Sequence, residues 1–248
     1  MKKLKVVVVG ETCVDKFIYC KINRLSPEAP VPVLIPTHTE VNSGMSGNTC
    51  ANIKALSPSS QVIHFSNLKQ ITKTRYVEGK TNHMFLRVDE GDSKIESFKW
   101  SNDYEHFIKE ADVVIVSDYD KGYLTDIDLI KIATHSRLSI LDSKRKLTDR
   151  VIESFDFVKL NEEEWENNNG LDDKNIIVTL GSKGSMYMGE IFPSDNPQET
   201  IDVSGAGDTF TSAFALSYVT APSVSNAIKY ANTVASKVVS KRGVKTPA

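Results

Sequence analysis

Near its C-terminus the chain runs Ile201-Asp202-Val203-Ser204-Gly205-Ala206-Gly207-Asp208-Thr209-Phe210. Two glycines and a small residue make a turn, a carboxylate follows at once, and a long apolar helical pattern begins. The first N–H groups of a helix lack partners within it, and the helix dipole favours negative charge there, so a helix starting at this turn attracts an anion. Glycine lets that backbone come close to a phosphate. Asp208 then stands beside the anion, where it can orient a hydroxyl for attack, and Asp202 lies upstream to brace the turn. The pattern points to phosphoryl transfer to an alcohol. Its plain alternative is a glycine turn with an N-capping aspartate. A helix N-terminus lowers an aspartate's pKa, so Asp208 is expected to be a weak base that works mainly by positioning in a loose transition state.

Upstream, strand-like and helix-like runs alternate, which predicts a doubly wound α/β fold with a mostly parallel sheet flanked by helices. Val6–Val9 is a continuous β-branched run, as suits a strand buried on both faces. Further strands are predicted at 62–65, 113–116, 138–141, 157–160 and 176–180. Helices are predicted at 46–56, 104–111, 127–134, 209–219 and 224–240. Polar residues or glycine recur where strands run out, at Asp15, Asp118, Asp142, Asn161 and Gly181. Open α/β sheets bind ligands at such carboxyl ends.

Two segments break the alternation. Arg24 to Thr37 holds Pro27, Pro30, Pro32 and Pro36 with Val31, Val33 and Ile35 between them, which confines it to an edge strand or an extended arm. Ile71 to Val88 alternates like a hairpin around Glu78-Gly79-Lys80. Together they are expected to form a small β-flap that excludes water from the active face. The domain organisation expected is one domain over 1–248, with lid segments at about 16–40 and 70–90.

Composition excludes several classes. A net charge of −2 gives no general attraction to nucleic acid or anionic membranes. No apolar run reaches the roughly 18 residues of a membrane span. After Met1-Lys2-Lys3-Leu4-Lys5 only Val6–Val9 precede Gly10-Glu11, too short for a signal peptide. Cys13, Cys20 and Cys50 lack metal spacing and read as free thiols of a cytoplasmic protein.

Gly79-Lys80-Thr81 is not a P-loop, because Thr74 occupies the required upstream glycine position. Gly205-Ala206-Gly207 is not a dinucleotide fingerprint, since Phe210 replaces its third glycine. Thr179-Leu180-Gly181-Ser182-Lys183-Gly184 gives a second glycine-rich loop after a strand. Asn161 and Glu164 fall on one face of a starting helix, a pair suited to holding water on a magnesium ion. Glu162 and Glu163 read as a solvated helix start.

The segment Asp202 to Phe210 resembles the D-x-[ST]-G-A-G-D-x-F signature of the ribokinase-like (PfkB) carbohydrate kinase family. Gly44-Met45-Ser46-Gly47-Asn48-Thr49-Cys50-Ala51-Asn52 is similar to its N-terminal glycine–asparagine motif. Within the family, four segments resemble the D-glycero-D-manno-heptose-7-phosphate kinases, the kinase half of a bifunctional ADP-heptose synthesis protein. These are Arg24 to Val33, Thr72-Lys73-Thr74-Arg75, Ser117-Asp118-Tyr119-Asp120-Lys121-Gly122 and Leu141-Asp142-Ser143-Lys144. The resemblance implies a sugar-phosphate kinase using ATP and magnesium, with a monovalent-ion requirement left open. Asp208 is then the base and Gly205, Ala206 and Gly207 the anion hole. Asp15, Gly44 and Asn48 bind sugar hydroxyls, and Lys73, Arg75, Arg87, Asp118 and Lys121 serve the sugar-phosphate end. Asp142, Lys144, Asn161, Glu164, Thr179, Gly181, Gly184, Asp202 and Asn232 serve the nucleotide, with Asn161 and Glu164 supporting the metal through water.

The chain departs from the pattern in places. It is shortened between Phe65 and Thr72, which is expected to leave a sheet edge or a dimer surface. Gly10-Glu11 stands for Gly-Asp, Met45 for a glycine, and Lys159-Leu160-Asn161 for T-P-N. The chain stops at Ala248, so a separate nucleotidyltransferase is expected in the pathway. Two other readings are a kinase for another sugar or nucleoside, and a non-catalytic nucleotide-binding partner or sensor.

Overall fold

The computed structural model describes residues 3–93, 95–169, 174–194, 205–239 and 247. The elements run β1 (Lys5–Gly10), β2 (Thr12–Leu25), β3 (Pro32–Met45), α1 (Ser46–Leu56), β4 (Gln61–Phe65), β5 (Ile71–Glu78), β6 (Met84–Glu90), α2 (Asn102–Glu110), β7 (Val113–Asp118) and α3 (Asp126–His135). They continue as β8 (Ser139–Ser143), α4 (Asp149–Ser154), β9 (Phe157–Asn161), α5 (Glu162–Asn167), β10 (Ile176–Thr179), β11 (Ser185–Tyr187), β12 (Glu190–Phe192), α6 (Ala206–Thr220) and α7 (Val224–Val239).

The main sheet has the order β12-β11-β10-β9-β8-β7-β1-β4. It is parallel from β4 to β10, with β11 and β12 added antiparallel at one edge. Successive side chains of a strand point to opposite faces, so a strand covered on both sides must be apolar throughout. Val7 and Val9 join Val114, Val116 and Leu141 under α2, α3 and α4. Val6 and Val8 join Val113, Ile115 and Phe157 against α1, α6 and α7, with Ile53, Phe214 and Ile228. Each buried aliphatic side chain contributes roughly 1.5–3 kcal/mol, so these two cores hold the sheet rigid beneath the site.

The predicted flap is a second sheet of four strands, ordered β3-β2-β5-β6. The proline-rich β3 is an edge strand, where missing donors cost least. One expectation changes: Asp15 does not follow the end of a core strand but lies inside β2, a 14-residue flap strand. Its Cα partners are Asn42 on β3 and Lys73 on β5. The charged residues Asp15 and Lys16 hide this strand from a periodicity reading.

The chain switches direction across the sheet between β1 and β7, with β4 on one side and β7 to β10 on the other. There Gly10 lies beside Ser117. Gly10 has φ +153°, and an added Cβ would run into the Ser117 carbonyl oxygen. Gly10→Ala should therefore destabilise the fold by about 3 kcal/mol, a sum of backbone strain and overpacking. Urea denaturation measures it, and a midpoint unchanged from that of the parent chain would contradict this packing.

Candidate active site

Elements of both sheets and the helices α1, α5 and α6 converge at the carboxyl edge of the main sheet. Helix α6 begins at Gly205, whose φ of 84° is left-handed, and the helix has no side-chain N-cap. Among the described residues no side chain caps its first N–H groups, and groups of this kind attract anions. Asp208 is not the cap. It is buried inside the first turn, and its carboxylate accepts hydrogen bonds from Asn48 Nδ2 on α1 (2.8 Å) and from the Tyr119 hydroxyl beyond β7 (3.0 Å).

The expected lowering of the Asp208 pKa is wrong. Burial pushes its carboxyl up to about 6, and the charge of Asp142 adds to this, against the hydrogen bonds of Asn48 and Tyr119 and the charge of Lys159. Desolvation by the folded chain outweighs the dipole of one helix end. A carboxyl raised to about 6 can exchange a proton closer to neutrality than an ordinary aspartate. The Tyr119 hydroxyl is held protonated, first by burial and then by the adjacent carboxylates, so it donates to Asp208.

Below Asp208 lies a buried ionic cluster. Asp142 on β8 accepts from Lys159 Nζ on β9 (3.2 and 3.3 Å) and from Thr211 Oγ1 on α6 (2.9 Å). Burial alone would raise the Asp142 carboxyl, but the Lys159 and Lys144 ammoniums and the Thr211 hydroxyl hold it below the usual range. Lys144 pairs with Glu164, and its ammonium lies over the Tyr119 ring at 5.6 Å. Burial would lower the Lys144 pKa, but the carboxylates of Asp142 and Glu164 raise it.

Asn161 and Glu164 form a reciprocal cap at the start of α5. Asn161 Oδ1 accepts from the Glu164 N–H (2.7 Å), and Glu164 Oε2 accepts from the Asn161 N–H (2.7 Å). Their oxygens suit a hard cation that keeps its waters. Among the described residues no group of three His, Cys, Asp or Glu could hold a metal directly, and Lys144 and Asn161 already engage the Glu164 carboxylate, so any cation here would be held through water. Asn161, Thr179 and Gly181 line a pocket of about 350 Å³ with Glu162, Glu163 and Glu166. The predicted nucleotide loop thus opens onto space beside the cap. Gly184, with φ +100°, is required by the backbone at Phe192 and Pro193 rather than by open space.

On the flap side, Asp15 pairs with Arg75. Within the flap, Gly44 on β3 leaves room for side chains of the neighbouring β2, since an added Cβ would meet Asp15 Oδ2 and Cys13 Sγ. Lys73 is buried, with its ammonium 5.7 Å from the Tyr119 ring centre. Lys121 pairs with Asp92 (2.9 Å), and Arg87 forms a two-pronged pair with Asp89 on its own strand (2.7 Å each).

Three of the expected site residues have other partners than the sequence suggests. Asp118 does not face a sugar phosphate: it is fully buried and accepts from Arg145 Nε (2.6 Å), Arg145 Nη2 (2.8 Å) and Ser143 Oγ (2.6 Å). Asn48 meets Asp208 itself. Asn232 ties α7 to the sheet edge, donating to the Phe192 carbonyl (2.9 Å) and accepting from Ser185 Oγ (3.1 Å), which leaves little of its amide for an adenine. A fourth, Asp202, lies outside the described residues. Sequence reasoning also gave no role to Glu11. This buried carboxylate accepts the N–H groups of Tyr119 (2.9 Å), Lys121 (3.0 Å) and Tyr123 (3.3 Å) and so holds the loop that presents Tyr119. Burial raises its pKa, partly offset by the Tyr119 N–H. Its only signal was the departure from Gly-Asp after β1.

Comparison with known proteins gives the family and the fold. The profile of the pfkB family carbohydrate kinases matches residues 58–248. The chain is 28% identical to the bifunctional protein HldE of a Nitratiruptor species, over 98% of this chain and 63% of that protein. It is 27% identical to the bifunctional protein HldE of a Caulobacter species, over 96% of this chain and 60% of that one. The chain thus spans less than two thirds of the length of these relatives. In fold it is similar to Arabidopsis thaliana ribokinase complexed with ribose and ATP (TM-score 0.68, 18% identity, 98% of this chain and 94% of that one). It is equally similar to the Methanocaldococcus jannaschii nucleoside kinase (TM-score 0.69, 19% identity, 99% and 95%).

Asp208→Asn should fold and lose ~10²-fold or more in turnover, the scale of general acid–base catalysis. A raised carboxyl pKa means the native state loses stability as pH rises from the unfolded value through about 6. The variant should therefore be more stable than the parent at pH 8 by roughly 1–3 kcal/mol, with the advantage gone below pH 4. Thermal melts at both pH values check the sign, and near-normal turnover would remove Asp208 from the chemistry.

Proposed function

The chain belongs to the pfkB family of carbohydrate kinases, phosphotransferases that act on a sugar hydroxyl, and from that premise we propose that it uses ATP to phosphorylate a heptose 7-phosphate at its anomeric hydroxyl. The product is a heptose 1,7-bisphosphate. The observation that carries the acceptor's phosphate is Lys73. Its ammonium is buried in the flap beside Tyr119, and among the described residues no ion pair within 4 Å engages it. A buried ammonium without a paired carboxylate favours an anionic partner. The resemblance of Thr72 to Arg75 and of Ser117 to Gly122 to the heptose-7-phosphate kinases supports the same assignment.

In this reading Asp208 orients the acceptor hydroxyl, takes its proton as the oxygen bonds to the γ-phosphorus, and ADP leaves. The N–H groups of Gly205, Ala206 and Gly207 face the transferring phosphoryl group, whose loose transition state is stabilised by position and charge. Tyr119 and Asn48 fix the carboxylate of Asp208. Asp15 and Gly44 shape the sugar side, and Thr179 and Gly181 the nucleotide side. Asn161 and Glu164 would hold magnesium through water, and the ion would supply charge neutralisation on the phosphates.

The flap also presents apolar side chains on both edge strands: Val31, Ile35 and Val41 near or on β3, and Met84, Phe85, Leu86 and Val88 on β6. Exposed edges of this kind favour pairing with another copy, and a homodimer through the flap follows. A cytoplasmic setting belongs to the same reading, supported by the free thiols of Cys13, Cys20 and Cys50.

An ATP-consumption screen over neutral sugars, nucleosides and sugar phosphates tests the acceptor. Turnover is expected on the phosphorylated heptose, with Lys73→Met raising its KM by about 10-fold or more, as the loss of one charged contact implies. Equal turnover on a neutral sugar would overturn the role of Lys73, and nucleotide binding with no turnover on any acceptor would favour a sensor. Light scattering at micromolar concentration should give the mass of a dimer, and a monomer would refute the flap interface.

A further inference from the structure

The ammonium of Lys159 has no part in the reaction as described, yet it sits against the catalytic turn. Lys159 is only 3% exposed. Its Nζ touches both oxygens of Asp142, and a Cβ on Gly207 would stand 2.8 Å from the same atom. The cation therefore presses on the backbone that leads directly into Asp208. Asp142 is also joined to α6 through Thr211, whose single hydroxyl proton is shared between Asp142 Oδ2 and the Gly207 carbonyl (3.1 Å). One buried triad thus grips the first turn of α6 from below.

Asp142 and Asp208 are buried near each other, and two neighbouring carboxylates resist joint ionisation unless a cation offsets one of them. We propose that Lys159 is a positioning residue: by neutralising Asp142 and seating the glycine turn, it lets Asp208 alone carry the negative charge that faces the acceptor hydroxyl. Where the heptose-7-phosphate kinases carry T-P-N, this chain carries Lys159-Leu160-Asn161, so the cation is a feature of this sequence.

The groups facing Asp208 can be named element by element. Asn48 comes from α1, Tyr119 from the loop after β7, Asp142 from β8 with Lys144 just beyond it, and Lys159 from β9. Glu164 on α5 holds Lys144, and Lys73 on β5 lies over the Tyr119 ring. Among these, Asp142 disfavours the charged form of Asp208 and Lys159 favours it. The proposal does not depend on which sugar is phosphorylated, so its test needs no acceptor.

Carboxyl 13C NMR of the full chain, labelled at aspartate, follows the Asp208 titration directly, with Asp208→Asn identifying its resonance. In the parent the midpoint is expected near 6. Lys159→Met should raise it by about one pH unit, and Asp142→Asn should lower it by a similar amount, the scale of a nearby charge. The double variant Lys159→Met/Asp142→Asn should fall between them. A purely structural role predicts shifts of one sign, or none. Should Lys159→Met fail to fold, Asp142→Asn is compared with the double variant, which buries no ion from the pair. Removing the ammonium in that background must raise the Asp208 midpoint. Shifts of the same direction in both single variants, or differences under roughly 0.3 unit, would overturn the proposal.

Discussion

Glu11 is the point on which the rest of the site hangs. It follows β1 at the place where the sheet changes direction, and it accepts N–H groups from Tyr119, Lys121 and Tyr123. A buried carboxylate is tolerated only when its lone pairs are filled. Filling them fixes the loop that leaves β7. That loop in turn carries the Tyr119 hydroxyl to Asp208 and gives the ammoniums of Lys73 and Lys144 an aromatic ring to lie against. The central strand, the flap and the last helices are thereby brought into one electrostatic unit by a single side chain.

That unit is unusual for how little of its charge is exposed. Asp208, Asp142, Lys159, Asp118 and Glu11 are all buried. Asp118 is neutralised by Arg145 and Asp142 by Lys159, while Asp208 has hydrogen bonds but no direct ion pair among the described residues. Two of these carboxylates have no cation partner among the described residues: Glu11, which is spent on backbone N–H groups, and Asp208, which is the one a reactive hydroxyl would meet. Separation of roles among neighbouring acids by environment is how one fold obtains a base and several braces from the same residue type.

The parts of this structure open to sequence reading are those written locally. Val6–Val9 is apolar at every position because both faces are covered, and Ser46–Leu56 and the start of α6 carry glycine and small residues that only one backbone explains. The glycine turn announced an anion site for the same reason. Strand β2 was not legible, because its register is set by β5, whose Ile71 pairs with Cys13, and because Asp15 and Lys16 interrupt its pattern. Nor was the state of Asp208. Its proximity to a helix end can be read from sequence, but its burial depends on Asn48, Tyr119 and Asp142, brought from elsewhere in the chain. Asp118 misled for a related reason: a polar residue at a strand end looks the same whether it meets a ligand or an arginine such as Arg145.

The pairing of β2 with β5 has a mechanical consequence. The flap is two hairpins, β2–β3 and β5–β6, and the parallel β2–β5 ladder stitches them into one plate. The chain enters and leaves that plate at Thr12, Met45, Ile71 and Glu90, so it is tethered at four corners rather than swinging from one hinge. A body held this way rocks or slides and does not peel back. Because β3, α1 and β4 lie between β2 and β5 in the chain, the plate is closed by contacts distant in sequence. It can therefore loosen locally without disturbing the cores beneath it.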